Sequence, residues 1–201
     1  KWLPHLLGHE GSGVVIGAGK GVKKFKLRDR VILTWIKTKG IESEPITYKY
    51  KNKTINAGKV TTFSNYTIVS ENRLTKMPKT LDFAKATLFG CAIPTGAGMI
   101  LNQISPNKSD YVVIIGFGGI GISAYMMLRS MKVKNIIVID KDKKKLKFAK
   151  EFGVKNIYNA NENNLIKKIM TKTKGGANYC VESAGFAKTI ELGFSLINNK
   201  K

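Results

Sequence analysis

The chain has 201 residues, 43% of them hydrophobic and 24% charged, which is enough to build a real core in one large or two small domains. No apolar run reaches bilayer-spanning length, the opening Lys1-Trp2-Leu3-Pro4-His5 lacks the layout of a secretory signal, and Cys91 and Cys180 have no C-x-x-C spacing, so a membrane protein, a disulfide framework and a cysteine-rich zinc knuckle are excluded and a cytoplasmic protein is expected. The formal charge of +22 is spread along the whole chain with no RNA-binding or helix-turn-helix motif, so compositional bias toward Lys, Asn and Ile accounts for it and no specific nucleic-acid partner is expected.

Near the start, Gly8-His9-Glu10-Gly11-x-Gly13 sets an imidazole beside a carboxylate among glycines, ahead of a β-like run. That pairing suits a metal ligand or a general base, and equally a surface turn. β-like runs at 12–16, 30–36 and 66–69 alternate with Gly, Lys and Asn turns, so residues 1–84 read as a compact β-rich domain.

From residue 85 onward helix and strand alternate, the pattern of a doubly wound parallel sheet. Cys91 lies in Phe89-Gly90-Cys91-Ala92-Ile93-Pro94-Thr95-Gly96, a small-residue segment where an isolated cysteine is more often a structural thiol than a ligand. The strand-like 111–115 runs straight into Gly116-x-Gly118-Gly119-Ile120-Gly121 and then the helix-like 122–131, the order of a dinucleotide-binding turn. Gly116 permits the tight turn, Gly118 lets backbone approach a pyrophosphate, and Gly121 lets the helix pack closely, its N-terminal N–H groups facing the phosphates. The second strand, 135–139, ends in Asp140, whose carboxylate can accept hydrogen bonds from the adenosine ribose and repels a 2′-phosphate, which favours NAD over NADP. Residues 141–150 read as a solvated, Lys-rich helix face with Leu146, Phe148 and Ala149 on its buried side. Further strands are expected at 155–158 and 178–182, about four in all against six in a complete dinucleotide fold, and both ends read as cut from a longer protein.

Together these motifs resemble the medium-chain dehydrogenase/reductase superfamily, in its zinc-dependent alcohol dehydrogenase branch. The likeness is carried, in order, by Gly8-His9-Glu10-Gly11, Val31, Thr62-Phe63-Ser64-x-Tyr66, Gly90-Cys91-x-x-x-Thr95-Gly96, the glycine turn, Asp140 with Lys145, and Glu182-x-x-Gly185. It implies an α/β fold in which a partial β-rich GroES-like catalytic domain (1–84) precedes a partial Rossmann NAD-binding domain (85–201). The resemblance implies that His9 and Cys91 are two of the catalytic zinc ligands, that Glu10 is the acidic residue beside the metal, and that Thr95 contacts the nicotinamide side of the cofactor. It further implies that Gly116, Gly118, Gly119, Ile120 and Gly121 hold the pyrophosphate, that Asp140 and Lys145 contact the adenosine ribose, and that Ala184 lines the adenine pocket.

Two departures matter. The family's third zinc ligand, a cysteine, and a hydroxyl of its proton relay lie upstream of the histidine, ahead of Lys1. Its four-cysteine structural zinc lobe has no counterpart, because residues 31–90 contain no cysteine and a different insert, 37–59, stands there. One catalytic zinc and no structural zinc are therefore expected.

The implied activity is hydride transfer between NAD and an alcohol or its carbonyl product, with zinc polarising the substrate oxygen in a cleft between the two halves. The segment alone is expected to be inactive, and the full-length protein to be a homo-oligomer acting on a small molecule, with neither nucleic acid nor membrane as partner. Two other readings stand beside this one: a zinc-free NAD(P)-dependent reductase of the same superfamily, and a non-catalytic dinucleotide- or nucleic-acid-binding protein that uses its basic surface.

Overall fold

The computed structural model describes residues 3–44 and 46–198. The chain divides into two compact units with the break after Cys91, past the boundary at 84/85 read from the sequence.

The first unit contains β1 (His5–Leu6), β2 (Gly11–Val14), β3 (Arg30–Leu33), β4 (Thr47–Tyr50), β5 (Lys53–Ala57), β6 (Leu74–Lys76) and α1 (Phe83–Thr87), with a 3-10 turn at Leu88–Gly90. The strands form two three-stranded sheets, β1-β5-β4 and β2-β3-β6, the second antiparallel throughout. Side chains alternate across β3. Val31 and Leu33 pack with Phe25, Val60 and Leu74, while Ile32 packs on the other side with Met77 and Ala86.

Segment 85–91 belongs to this unit because side chains of the sheet hold it. Ser12 Oγ and Thr87 Oγ1 share a hydrogen bond (3.2 Å), and Thr34 Oγ1 donates to the Gly90 carbonyl (2.8 Å).

One expected strand is not formed. In 66–69, Tyr66 and Ile68 are exposed and the Ile68 N–H donates to the Tyr48 hydroxyl (3.1 Å), so strand-forming residues are present without a ladder to join. The insert 37–59 instead contributes the antiparallel β4–β5 hairpin, which turns at Lys51-Asn52 with Lys51 at φ 53. The Glu71 carboxylate ties that insert to the rest of the unit by accepting from the N–H groups of Lys23 (2.7 Å), Lys24 (2.6 Å) and Ile41 (2.9 Å).

The second unit begins with α2 (Ala92–Gly98), which runs on into a π-helical segment at Met99–Ile104. There follow β7 (Tyr111–Ile115), α3 (Gly119–Ser130), β8 (Asn135–Asp140), α4 (Lys143–Glu151), β9 (Asn156–Asn159), α5 (Leu165–Lys172), β10 (Tyr179–Glu182) and α6 (Ala187–Leu196). The four strands are those expected from the sequence, and they pair in parallel in the order β10-β7-β8-β9.

Both faces of this sheet are covered, which is why its strands read as unbroken apolar runs. Val112, Ile114 and Val138 face Ala124, Tyr125 and Leu128 of α3, whereas Val113, Ile115, Ile137 and Ile139 face Leu165, Ile169 and Leu196. Each fully buried Val, Leu or Ile side chain among them contributes about 1.5–3 kcal/mol.

Helix α4 keeps its lysines in solvent and is capped by Asp142, which accepts from the Lys144 N–H (2.8 Å). Of its three expected buried residues only Ala149 is fully so. Leu146 is half-buried, and Phe148 stays 44% exposed, stacked on Phe152 at 5.4 Å and tilted against Phe117 at 6.4 Å. Its position on the helix turns it toward a neighbouring ring rather than into the core. No single helix among the described residues is long and apolar enough to cross a membrane.

Cys180 of β10 packs on this core, where burial, assisted by the charge of Glu182, pushes its thiol up to about 12. It is therefore a neutral, inert thiol at physiological pH. Iodoacetamide at pH about 8 should leave Cys180 unlabelled in the native protein and label it after unfolding, as mass spectrometry of the Cys180 peptide would show. Rapid native labelling would contradict this packing.

Candidate cofactor and metal site

The glycine turn lies between β7 and α3, and each of its three key glycines meets a different constraint. Gly116 sits at φ 92, and a Cβ there would stand 2.9 Å from the Ala184 nitrogen. A Cβ on Gly121 would stand 2.0 Å from the Gly116 carbonyl oxygen, so helix and turn touch backbone to backbone. Gly118 differs from both, because nothing lies within 4 Å of the place a Cβ would take. The chain is closed around the first and third glycines and open at the second, as a backbone cradle for a pyrophosphate requires.

Helix α3 starts at this point. Its first intrahelical bond runs from Ile122 N–H to the Gly118 carbonyl (2.8 Å), which leaves the N–H groups of the first turn available to an anion. Gly119 and Ile120 are exposed at its start.

Asp140 holds the turn from the β8 side. Its Oδ2 accepts from the Phe117 N–H (2.7 Å) and its Oδ1 from the Asp142 N–H (2.9 Å), with only 7% of the residue exposed. Lys145 Nζ lies 4.0 Å from Oδ2. Two oxygens with about four acceptor positions leave capacity for ribose hydroxyls after these two bonds.

The β10 side is held by residues whose roles the sequence did not disclose. Ser183 Oγ donates to the carbonyls of Ile115 (3.1 Å) and Gly116 (2.9 Å), and Glu182 Oε1 accepts from the N–H groups of Ala184 (2.8 Å) and Gly185 (2.9 Å). Glu182 was visible only as part of a spacing motif. Its position one step before a loop of small residues with free N–H groups was the available signal.

Thr95 is exposed on α2. The following residue, Gly96, fixes that helix against α3, because a Cβ on Gly96 would stand 2.3 Å from the Ile120 carbonyl oxygen.

In the first unit, His9 and Glu10 occupy the short loop between β1 and β2, His9 exposed and Glu10 half-buried. The loop is pinned by Thr62 and Phe63, whose N–H groups donate to the carbonyls of Gly8 (3.2 Å) and Leu7 (3.0 Å). Side chains at Gly8 and Gly11 would strike Thr62, at 2.6 and 2.7 Å, which explains the glycines on both sides of the pair. The 3-10 turn before Cys91 meets this loop directly: a Cβ on Gly90 would stand 3.2 Å from the Glu10 Cα and 2.5 Å from the Leu33 carbonyl oxygen.

The segments carrying the thiol and the imidazole are thus brought together by backbone contact one residue from each. Imidazole, thiolate and carboxylate are the donor types that zinc takes, so these residues fit the metal as part of a ligand set. Among the described residues, no group of three or more His, Cys, Asp and Glu side chains is arranged to hold a metal ion.

Residues 1–79 match the alcohol dehydrogenase GroES-like domain family, and residues 119–200 match the zinc-binding dehydrogenase family. The chain is a zinc-binding alcohol dehydrogenase-like protein. Its first unit is GroES-like and its second is a Rossmann sheet.

This alcohol dehydrogenase-like chain is 29% identical over 218 residues to S-(hydroxymethyl)glutathione dehydrogenase of Photobacterium damsela subsp. piscicida, a match covering 91% of this chain and 57% of that protein. Among solved structures it is similar to benzyl alcohol dehydrogenase from Acinetobacter calcoaceticus, at 25% identity and TM-score 0.84, covering 98% of this chain and 60% of the other. It is likewise similar to an alcohol dehydrogenase zinc-binding domain protein from Burkholderia ambifaria, at 26% identity and TM-score 0.81, covering 97% and 60%. The chain spans less than two thirds of the length of each of these relatives.

Proposed function

We propose that this chain forms the cofactor-binding and metal-binding core of an NAD-dependent oxidoreductase that transfers a hydride between an alcohol, or its carbonyl product, and NAD. The observation that carries the reading is the glycine turn, tight at Gly116 and Gly121, open at Gly118, and tied to Asp140 through the Phe117 N–H. The matches to the GroES-like and zinc-binding dehydrogenase domain families support the same chemistry.

When bound, zinc supplies Lewis acidity toward the substrate oxygen and NAD supplies the hydride acceptor. His9 and Cys91 would hold the metal, with Glu10 beside it as the acidic neighbour. The N–H groups at the start of α3, around Gly119, Ile120 and Gly121, would bind the pyrophosphate over the open Gly118. Asp140 would accept hydrogen bonds from the adenosine ribose, with Lys145 beside its carboxylate, and Ala184 would border the adenine. Thr95 would contact the nicotinamide end.

The ribose assignment is testable through cofactor preference. A buried carboxylate disfavours a 2′-phosphate by like-charge repulsion, so Asp140→Ala should narrow the preference for NAD over NADP by about tenfold or more. Both affinities should also fall, because the Phe117 N–H loses its acceptor, so the ratio of the two dissociation constants is the readout. An unchanged ratio would sink the ribose assignment.

A further inference from the structure

Cys91 is the single residue between the 3-10 turn Leu88–Gly90 and helix α2, and the first unit ends with it. Its backbone leaves the helical region there, at φ −151 and ψ −61, so its direction does not follow from either helix. The peptide bond that enters Cys91 is planar, and its plane contains both the Gly90 carbonyl oxygen and the Cys91 Cα. Whatever holds the Gly90 oxygen therefore also aims Cys91.

Thr34 holds that oxygen. The residue directly follows β3, is only 5% exposed, and is tied by its own N–H to the Arg73 carbonyl (3.0 Å). Its hydroxyl accepts from the Ile36 N–H (3.1 Å) and donates to the Gly90 carbonyl (2.8 Å). A hydroxyl has one proton to give, and here it is committed to Gly90. Burial strengthens that bond, because water does not compete for it. Gly90 brings no side chain to wedge the peptide in place, and a Cβ there would stand 2.5 Å from the Leu33 carbonyl oxygen. A glycine has the widest backbone freedom of any residue, so this peptide needs an outside restraint.

We propose that Thr34 is a positioning residue for the metal centre: its hydroxyl fixes the plane of the Gly90–Cys91 peptide and thereby the direction in which the Cys91 thiolate is presented to zinc. This role rests on Cys91 being a metal ligand, as proposed above. Groups that only orient a ligand contribute about 10–100-fold in metal affinity, and one acting through a peptide plane should fall at the lower end of that range.

The test is competition for zinc between a chromophoric chelator and the intact zinc-loaded protein, together with the absorption of its cobalt(II)-substituted form, whose thiolate-to-metal band reports the sulfur–metal geometry. Thr34→Val keeps the shape of the side chain and removes the hydroxyl, and Thr34→Ala removes it without adding an apolar contact. Both should hold zinc about tenfold more weakly with a weakened or shifted cobalt band, and Thr34→Ser should return to within about threefold of the wild type. Ile32→Val loosens the opposite face of β3, where Ile32 packs with Met77 and Ala86, and should lower the melting temperature while leaving zinc affinity and the cobalt band as in the wild type. Wild-type affinity in Thr34→Val or Thr34→Ala would overturn the positioning role. So would an equal loss in Thr34→Ser or Ile32→Val, which would assign the effect to general loosening of the strand. A wild-type protein whose cobalt form shows no thiolate-to-metal band would instead overturn Cys91 as a ligand.

Discussion

Replacing Cys91 with serine should strip the protein of zinc and of nearly all turnover. The substitution is close to isosteric, and the backbone around it is held by contacts that do not involve the thiol: Thr34 Oγ1 on the Gly90 carbonyl, and Gly90 against Glu10. The fold should therefore survive, and what is lost is a soft anionic donor for which a neutral hydroxyl is a poor substitute. Changes to groups that only orient a ligand already cost about 10–100-fold in metal affinity, so loss of a direct ligand should exceed about a hundredfold. Atomic absorption on the purified variant, beside its kcat/KM, reads both effects. Full zinc occupancy in Cys91→Ser would show the thiol to be structural.

The second large effect falls on the turn. Gly121→Ala puts a methyl group 2.0 Å from the Gly116 carbonyl oxygen, on a residue whose own surroundings are tight, since a Cβ on Gly116 would stand 2.9 Å from the Ala184 nitrogen. Helix α3 must back away from the sheet, loosening Ala124, Tyr125 and Leu128 in the core. Overpacking of this kind costs about 1–3 kcal/mol, and the distorted turn should also bind NADH more weakly.

Gly118→Ala is the informative contrast. Its methyl group enters open space, so the variant should melt with the wild type yet bind NADH poorly, because the added carbon stands where the pyrophosphate must approach. Thermal unfolding and NADH fluorescence titration of the two variants separate packing from binding. A Gly121→Ala protein that melted like the wild type would contradict the packing role given to the third glycine.

How much could be read from the chain depended on how much local chemistry each element carries. The second unit was legible because its strands are buried on both faces, as in Val112-Val113-Ile114-Ile115, and because its turn needs glycine at fixed offsets. The first unit was less so. Its strand β6 is the short Leu74-Thr75-Lys76, which resembles any loop segment, whereas 66–69 has strand-like residues and no partner to pair with. The β4–β5 hairpin was readable in principle from the alternation in Thr47-Tyr48-Lys49-Tyr50 and the Lys51-Asn52 turn, but it lay within a segment defined by what it replaced.

The same contrast holds at the site. The glycine turn and Asp140 carry their chemistry in spacing and could be named directly. His9, Glu10 and Cys91 are far apart in sequence, and only the Gly90 contact with Glu10 reveals that their segments meet. The restraining roles of Glu182, Ser183 and Thr34 were invisible because a hydrogen bond to a distant carbonyl leaves no periodic trace.

The most direct test of the account is NADH formation from a primary alcohol by the intact protein, followed by absorbance in the zinc-loaded state, after removal of metal by a chelator, and after zinc is restored. The account predicts turnover with NAD that disappears with the metal and returns with it. Undiminished turnover in metal-free protein would instead identify a zinc-free reductase, and zinc-loaded protein that neither reduces nor binds NAD would contradict the oxidoreductase reading altogether.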